Sequence, residues 1–269
     1  MNPPHKTYNR RMNRQGGLGF RFPHLRGDCV VWCVKINWFS TGISSFVACY
    51  LEKDADKIIY THVNDQHPDS LRFLHDCERV LGREIEILAN DSYKSVEDVI
   101  LRTRYINGPA GASCTRILKK EVRQQWEALH PGSHTYIWGY DVSERRRAER
   151  VVDSLPLHAH SFPLIDRGLT KQDCHAIAEK LGIRRPIMYD MGYPNNNCIG
   201  CVKGGKGYWN QIRRDFPEVF KRRAELERII GHSCINGTFL DELPPDAGDI
   251  QKEIMQDCSI LCQLAIGDA

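Results

Sequence analysis

Between residues 30 and 186, short β-branched and aromatic runs alternate with longer stretches of helical periodicity, and this alternation limits the fold more than any other feature. "VVWCVKINWF" (30–39) predicts a buried strand, and Ile43, Phe46, Val47, Tyr50 and Leu51 follow at helical spacing. "KIIYTHV" (57–63) predicts the next strand. "PDSLRFLHDCERVLG" (68–82) predicts the next helix, with Pro68 near its start and Gly82 just past its end. "EIEIL" (84–88) is a third short strand, and Ser95-x-x-Asp98 caps a helix over 95–105. A helix over 115–129, a strand over 134–139, a helix capped by Ser143, a strand near 157–161 and a helix opened by Thr170-x-x-Asp173 continue the pattern. Strands and helices in such order build a mostly parallel sheet covered on both faces, a doubly wound α/β fold.

Past about residue 186 the pattern gives way to a Cys- and Gly-rich loop, one long amphipathic helix over 207–231, and a tail. The expected division is a mobile basic arm over 1–27, a nucleotide-binding α/β domain over 28–186 and a Cys-rich segment over 187–269. The net charge of +3 is close to balance, so bulk electrostatics do not demand a nucleic-acid partner. No apolar run reaches the ~18 residues of a membrane span, and "MNPPHKTYNRRMNRQGGLGF" lacks the apolar core of a signal peptide; a cytoplasmic location is expected. In a reducing compartment, eleven cysteines point to ligands and redox groups before disulfides. Cys33, Cys49, Cys77 and Cys174 fall on apolar faces and are expected to be small core hydrophobes.

Two stretches carry chemistry. The first strand runs directly into Ser40-Thr41-Gly42-Ile43-Ser44-Ser45 and then a helix. Free backbone N–H groups and the helix dipole favour an anion there, the hydroxyls add donors, and Gly42 lets a phosphate come close. The Gly-Lys-Ser/Thr ending of a Walker A loop is missing. The second stretch is "YPNNNCIGCVKGGKGYW" (193–209), with Cys198 and Cys201 in C-x-x-C spacing. On spacing alone it can be a metal knot, a redox pair or a plain loop. Tyr208 and Trp209 are expected to pack the long helix.

The order of motifs resembles the PP-loop ATP pyrophosphatase superfamily and, within it, the phosphoadenosine phosphosulfate (PAPS) reductase family, especially its phage and prophage members. Ser40–Ser45 is similar to the Ser-Gly-Gly-x-Asp-Ser loop, with Thr41 and Ser44 at two of its positions. "HVNDQHPDSLRFL" resembles the strand end and helix start that follow, and "GASCTRILKKEV" the Cys-x-x-x-x-Lys segment of the cluster-bearing members. "WGYDVSERRRAERV" resembles a phosphate-holding stretch, "FPLIDRGLTKQDC" a Pro-Leu-x-x-Trp-x-x-x-Asp-Val segment, and "MGYPNNNCIGC" the Gly-Tyr-Pro-x-x-x-Cys-x-x-Cys motif. The likeness runs over residues 30–262. Where cluster-bearing members carry Cys-Cys, this chain has Ser113-Cys114, and Tyr140-Asp141 replaces the arginine of Gly-x-Arg.

The resemblance implies an adenine nucleotide (PAPS, APS or ATP, the last with Mg2+) at Ser40, Thr41, Gly42, Ser44 and Ser45, with Lys119, Arg145, Arg147, Lys203 and Lys206 against phosphate or sulfate. It implies a 4Fe–4S cluster on Cys114, Cys198 and Cys201, with the fourth ligand among Cys234, Cys258 and Cys262, Cys262 being the primary assignment, or with the fourth iron left open as sulfur transfer would use it. A zinc knot on Cys198, Cys201, Cys258 and Cys262 is the alternative. "QDCSILC" is similar to the tail whose cysteine attacks the sulfonucleotide, which makes Cys258 the catalytic thiolate and a thioredoxin-like protein its reductant. The rival chemistry is ATP-dependent sulfur or adenylyl transfer with nucleic acid as acceptor. A non-catalytic nucleic-acid-binding protein with a zinc knot is a third reading. A homodimer is compatible with all three.

Overall fold

The computed structural model describes residues 11–12, 18–20, 31–108, 111–255 and 258. In chain order the first elements are β1 (Arg11–Met12), β2 (Leu18–Phe20), β3 (Val31–Cys33), β4 (Lys35–Phe39), α1 (Ile43–Leu51), β5 (Lys57–Thr61), α2 (Asp69–Leu81), β6 (Glu86–Leu88) and α3 (Val96–Thr103). Then come α4 (Ser113–Thr115), a π turn (Arg116–Lys120), α5 (Glu121–Leu129), β7 (Thr135–Ile137), α6 (Arg145–Ser154) and β8 (Ala159–Ser161). The remainder is α7 (Pro163–Asp166), α8 (Lys171–Lys180), α9 (Ile187–Asp190), α10 (Lys206–Asp215) and α11 (Pro217–Ile230).

Five strands form one parallel sheet in the order β6-β5-β4-β7-β8. The β-branched and aromatic residues of the central strands are buried on both sides, as a parallel sheet requires. On one face Ile36, Trp38, Ile59, Tyr136 and Trp138 pack with Trp126 of α5 and Val151 of α6. On the other, Phe39, Ile58, Tyr60 and Ile137 pack with Phe46 of α1, Phe73 of α2 and Ala178 of α8. A third cluster joins α3, Ile117 and Leu118, the 198–202 turn, α10 and α11. Among the described residues no helix is long and apolar enough to cross a membrane.

The doubly wound expectation holds, while several local expectations are corrected. The 30–39 run splits. Val31–Cys33 pairs antiparallel with β2, and Lys35–Phe39 joins the parallel sheet. A continuous apolar run hides such a change of partner, because its periodicity is the same on both sides of the break. Cys33 ends the outer strand and is exposed, unlike Cys49, Cys77 and Cys174, which are buried. The long helix over 207–231 is two helices. Pro217 offers no N–H and disfavours helical geometry at Phe216, whose φ of −138° and ψ of 64° turn the chain. Ser143 is not the cap of its helix. Asp141 accepts from the Ser143 backbone in a capping box closed by Glu144, and the Ser143 hydroxyl donates to Asp141.

The caps at Ser95 and Thr170 form as expected, each side chain accepting from the backbone N–H three residues on. Thr170→Ala removes one such acceptor together with the hydroxyl donor to Asp173, whose exposed carboxylate keeps the backbone N–H of residue 170. Urea denaturation is expected to show a loss of about 1 kcal/mol, with the m-value unchanged because the unfolded chain is not altered.

Candidate functional site

α1 and α2 lie on one face of the sheet and α5 and α6 on the other, so the connections part at the carboxyl ends of β4 and β7. A crevice at such a divide is where open α/β sheets receive ligands. The loop Ser40–Ser45 sits there. Gly42 is the N-cap of α1 and carries no side chain to fill the first turn. Ser45 ties the loop together: its Oγ accepts from the Ser40 backbone at 3.1 Å and donates to Gly42 O at 2.9 Å.

Thr41 is fully buried and holds φ at +57°. That left-handed geometry costs a residue with a Cβ roughly 1–2 kcal/mol, so the surroundings must hold it. They do: Gln66 Nε2 donates to Thr41 Oγ1 at 3.2 Å, and Asn196 Nδ2 donates to Thr41 O at 2.9 Å. Gln66 is anchored in turn by the Tyr60 hydroxyl. Ser44 is 1% exposed and lies beside Cys174 of α8, whose thiol burial pushes up to about 12.

The thiols gather against the same end of the sheet. A short bridge pairs Gln66 with Cys198, and Ile199 N donates to Asp65 O at 2.8 Å, so the C-x-x-C turn is laced to the segment that follows β5. The Tyr208 hydroxyl braces that turn, accepting from Cys201 N at 2.8 Å and donating to Cys198 O at 3.1 Å. The helix formed by α4, the π turn and α5 supplies Cys114 and Lys119. Extra residues in a π turn re-aim the side chains around it, and Lys119 is carried inward to 5% exposure. Its ammonium donates to Cys258 O at 2.7 Å, and Cys258 N donates to Asn197 Oδ1 at 2.8 Å.

Cys114 and Cys198 each interact electrostatically with Cys201 and Cys258, and Cys201 with Cys258. Burial drives the Cys114 thiol up to about 12, and charge on Cys258 and Cys201 adds to the rise, against Lys203 and Arg223. Burial likewise raises Cys198, against the pull of Lys119, and Cys201, against Lys203. Burial alone would lower Lys119; negative charge on Cys258 and Cys198 outweighs it and the net displacement is upward. Among the described residues no group of three or more His, Cys, Asp or Glu side chains is arranged to hold a metal ion. Thiols are the donor type of iron–sulfur sites, and a buried cation lies near Cys114: Arg223 of α11 is 4% exposed, and among the described residues its Nε and Nη1 have no hydrogen-bond partner.

The other expected residues are placed differently. Arg145 and Lys206 are exposed, and Lys203 is half-buried near Cys114 and Cys201. Arg147 is buried, pairs with Glu144 at 2.6 Å and lies over the Tyr140 ring. The N-terminus of α10 is occupied by the Glu253 carboxylate, which accepts from Gly207 and Tyr208 N–H groups. Cys234 is tied to Glu227, which accepts its backbone N–H. Tyr208 and Trp209 are core residues, 2% and 0% exposed. Cys262 and most of the arm over 1–27 lie outside the described residues.

Gly139 enters the sequence pattern only as the glycine ahead of Tyr140-Asp141, and neither its close approach to α1 nor the burial of Asn195–Asn197 and Arg223 is written there. The other sequence signal among them is the run of three asparagines before Cys198. A cleft of about 760 Å3, lined by Asp56, Lys57, Glu78, Arg83 and Glu86, opens at the amino ends of β5 and β6, away from the loop and the thiols.

No family model matches the chain, and no curated protein does. Among solved structures, the crystal structure of phosphoadenylyl-sulfate (PAPS) reductase from Candida auris, in a phosphate complex, is similar with a TM-score of 0.46 and 12% identity. The match covers 61% of this chain and 81% of that one.

Proposed function

We propose that the protein is an adenine-nucleotide enzyme of sulfur chemistry, which binds a sulfonucleotide (PAPS or APS) at the Ser40–Ser45 loop and reduces it through the thiolate of Cys258. One observation carries this reading. Lys119 is buried and bonded to Cys258 at the end of the sheet where the loop also lies. A buried ammonium beside a thiol favours the thiolate, which is the nucleophilic form. The motif order in the sequence points the same way.

The residues divide the work as follows. The first turn of α1 offers N–H groups and dipole to the nucleotide phosphates, and the Ser40 hydroxyl, half-buried, faces the same loop. The Cys258 thiolate attacks the sulfonate sulfur. The S–O bond to the nucleotide phosphate breaks, its electron pair leaves with the nucleotide, and a thiosulfonate remains on Cys258. An external dithiol, thioredoxin-like in class, then supplies two electrons: one of its sulfurs attacks Cys258 Sγ, sulfite departs, and the second closes the dithiol to a disulfide as Cys258 is regenerated. Cys114, Cys198 and Cys201 are the residues that would hold a 4Fe–4S cluster, with Cys262 as the fourth ligand. Bound there, such a cluster would supply redox-active iron and polarisable sulfide, and the buried Arg223 guanidinium near Cys114 would offset part of the negative charge of its thiolates.

A second reading has one specific observation in its favour. Ser113 stands where a second cysteine would precede Cys114, and its hydroxyl is committed to Tyr105 O at 2.7 Å. Cys258 then completes the four-thiol set as a ligand, leaving sulfur transfer to an acceptor as the chemistry. Anaerobic preparations of wild type, Cys198→Ser and Cys258→Ser, assayed for iron, zinc, acid-labile sulfide and sulfite release, separate the two. The reductase reading expects Cys198→Ser to lose iron and Cys258→Ser to keep it while releasing no sulfite. Loss of iron in Cys258→Ser contradicts the nucleophile role and favours transfer; zinc without iron contradicts the cluster.

A further inference from the structure

Three consecutive asparagines, Asn195, Asn196 and Asn197, are 3%, 4% and 4% exposed. Consecutive amides in an ordinary loop face solvent, since burial strips each of its water partners. Here each is turned to a different part of the site. Asn195 Nδ2 donates to Met255 O, and its Oδ1 accepts from Lys171. Asn196 Nδ2 donates to Thr41 O at 2.9 Å and to Ser70 Oγ at 3.0 Å. Asn197 Oδ1 accepts from Cys258 N at 2.8 Å. Cys198, the next residue, is bridged to Gln66, which itself holds Thr41.

We propose that Asn195–Asn197 are positioning residues that couple the Ser40–Ser45 loop to the seating of Cys258. The middle amide grips the strained residue of the loop, and the two flanking amides grip the chain at Met255 and Cys258. Neighbouring residues share a backbone. A displacement of Thr41 that moves Asn196 therefore shifts the acceptor of the Cys258 N–H and the donor to Met255 O. Occupancy of the loop and the position of Cys258 become one equilibrium, and what biases either biases the other by the same factor. The use made of this coupling rests on the loop being the nucleotide site; the coupling itself does not.

The test is amide hydrogen exchange on the full chain, followed by mass spectrometry, for wild type, Asn196→Asp and Asn197→Ala. Asn197→Ala removes the acceptor directly and is expected to speed exchange at Cys258 at least tenfold. Asn196→Asp is isosteric and loses the amide N–H donors, which among the described residues reach Thr41 and Ser70. It is expected to speed exchange at Cys258 at least threefold, with the amides of Trp38 and Ile59 unchanged as a check on the sheet. Wild-type exchange at Cys258 in Asn196→Asp, with the sheet intact, overturns the proposal. Should that variant not fold, Asn196→Ala, which removes the same donors to Thr41 O and Ser70 Oγ without burying a charge, stands in with the same expectation. Adding ATP or PAPS then separates this inference from the functional reading. If exchange near Thr41 does not respond to nucleotide, the loop is not the nucleotide site; the ligand-free comparison still decides the coupling.

Discussion

Gly139→Ala is expected to lower the unfolding free energy by about 3 kcal/mol and to abolish nucleotide binding. The end of β7 crosses the first turn of α1 so closely that a Cβ at Gly139 would stand 2.5 Å from Ser45 Cα, 2.7 Å from Ser45 N and 3.0 Å from Ser44 C. All three are backbone atoms, so no rotamer change relieves the clash; either α1 or the carboxyl end of β7 must move. Both carry the loop's geometry, which is why stability and binding fall together. Gly182→Ala is the control. Its φ of +70° is left-handed, but nothing lies within 4 Å of the added carbon, so only the backbone strain of about 1–2 kcal/mol applies and nucleotide affinity is unchanged. Calorimetric binding of ATP and PAPS together with chemical denaturation of both variants checks the pair. Equal affinities in Gly139→Ala and wild type contradict the close-approach argument.

Lys119→Met is expected to cut sulfite release by roughly 10^2–10^3-fold, with a stability cost of about 1–3 kcal/mol from the Cys258 carbonyl it leaves unpaired. The side chain is of similar length, and methionine fills irregular core space readily. The loss is electrostatic. The ammonium is the charge that favours thiolates at Cys258 and Cys198, and it holds Cys258 O at 2.7 Å. Without it, a carbonyl is left unpaired in a buried site and the thiol of Cys258 loses the cation beside it. A fall in kcat/KM with the melting temperature within a few degrees of wild type supports the role. A variant that unfolds, or one that keeps full activity, contradicts it; Lys119→Gln, which preserves a hydrogen-bond donor without charge, distinguishes the charge from the bond to Cys258 O.

The sheet was readable because its information is local. The strands and longer helices from Lys57 to Lys180 declare themselves within a dozen residues by period, by a cap or by a glycine such as Gly82, whose left-handed φ ends α2, whereas α7 and the π turn do not. The local pattern is silent where the deciding partner lies elsewhere in the chain. Nothing near Val34 says that Val31–Cys33 and Lys35–Phe39 belong to different sheets. Pro217 did carry a local signal, overlooked because the apolar positions on either side of it continue in phase. The site divides in the same way. The Ser40–Ser45 loop and the C-x-x-C pair are visible as motifs, but the bond between Thr41 and Asn196 spans 155 residues and that between Lys119 and Cys258 spans 139. No spacing rule reaches across those distances. Arg147 shows the reverse: its place in a phosphate-like motif suggested a ligand contact, whereas its ion pair with Glu144 and its stacking on Tyr140 commit it to the fold.

The central claim, that the Cys258 thiolate takes the sulfonate group from a nucleotide bound at the loop, is tested most directly by intact-protein and peptide mass spectrometry. The anaerobic enzyme is mixed with PAPS or APS in the absence of any dithiol. The expected result is a gain of one SO3 group per chain, located on the peptide containing Cys258, absent in Cys258→Ser and removed by a dithiol with release of sulfite. An SO3 adduct on another cysteine, or none in a preparation that binds the nucleotide, contradicts it.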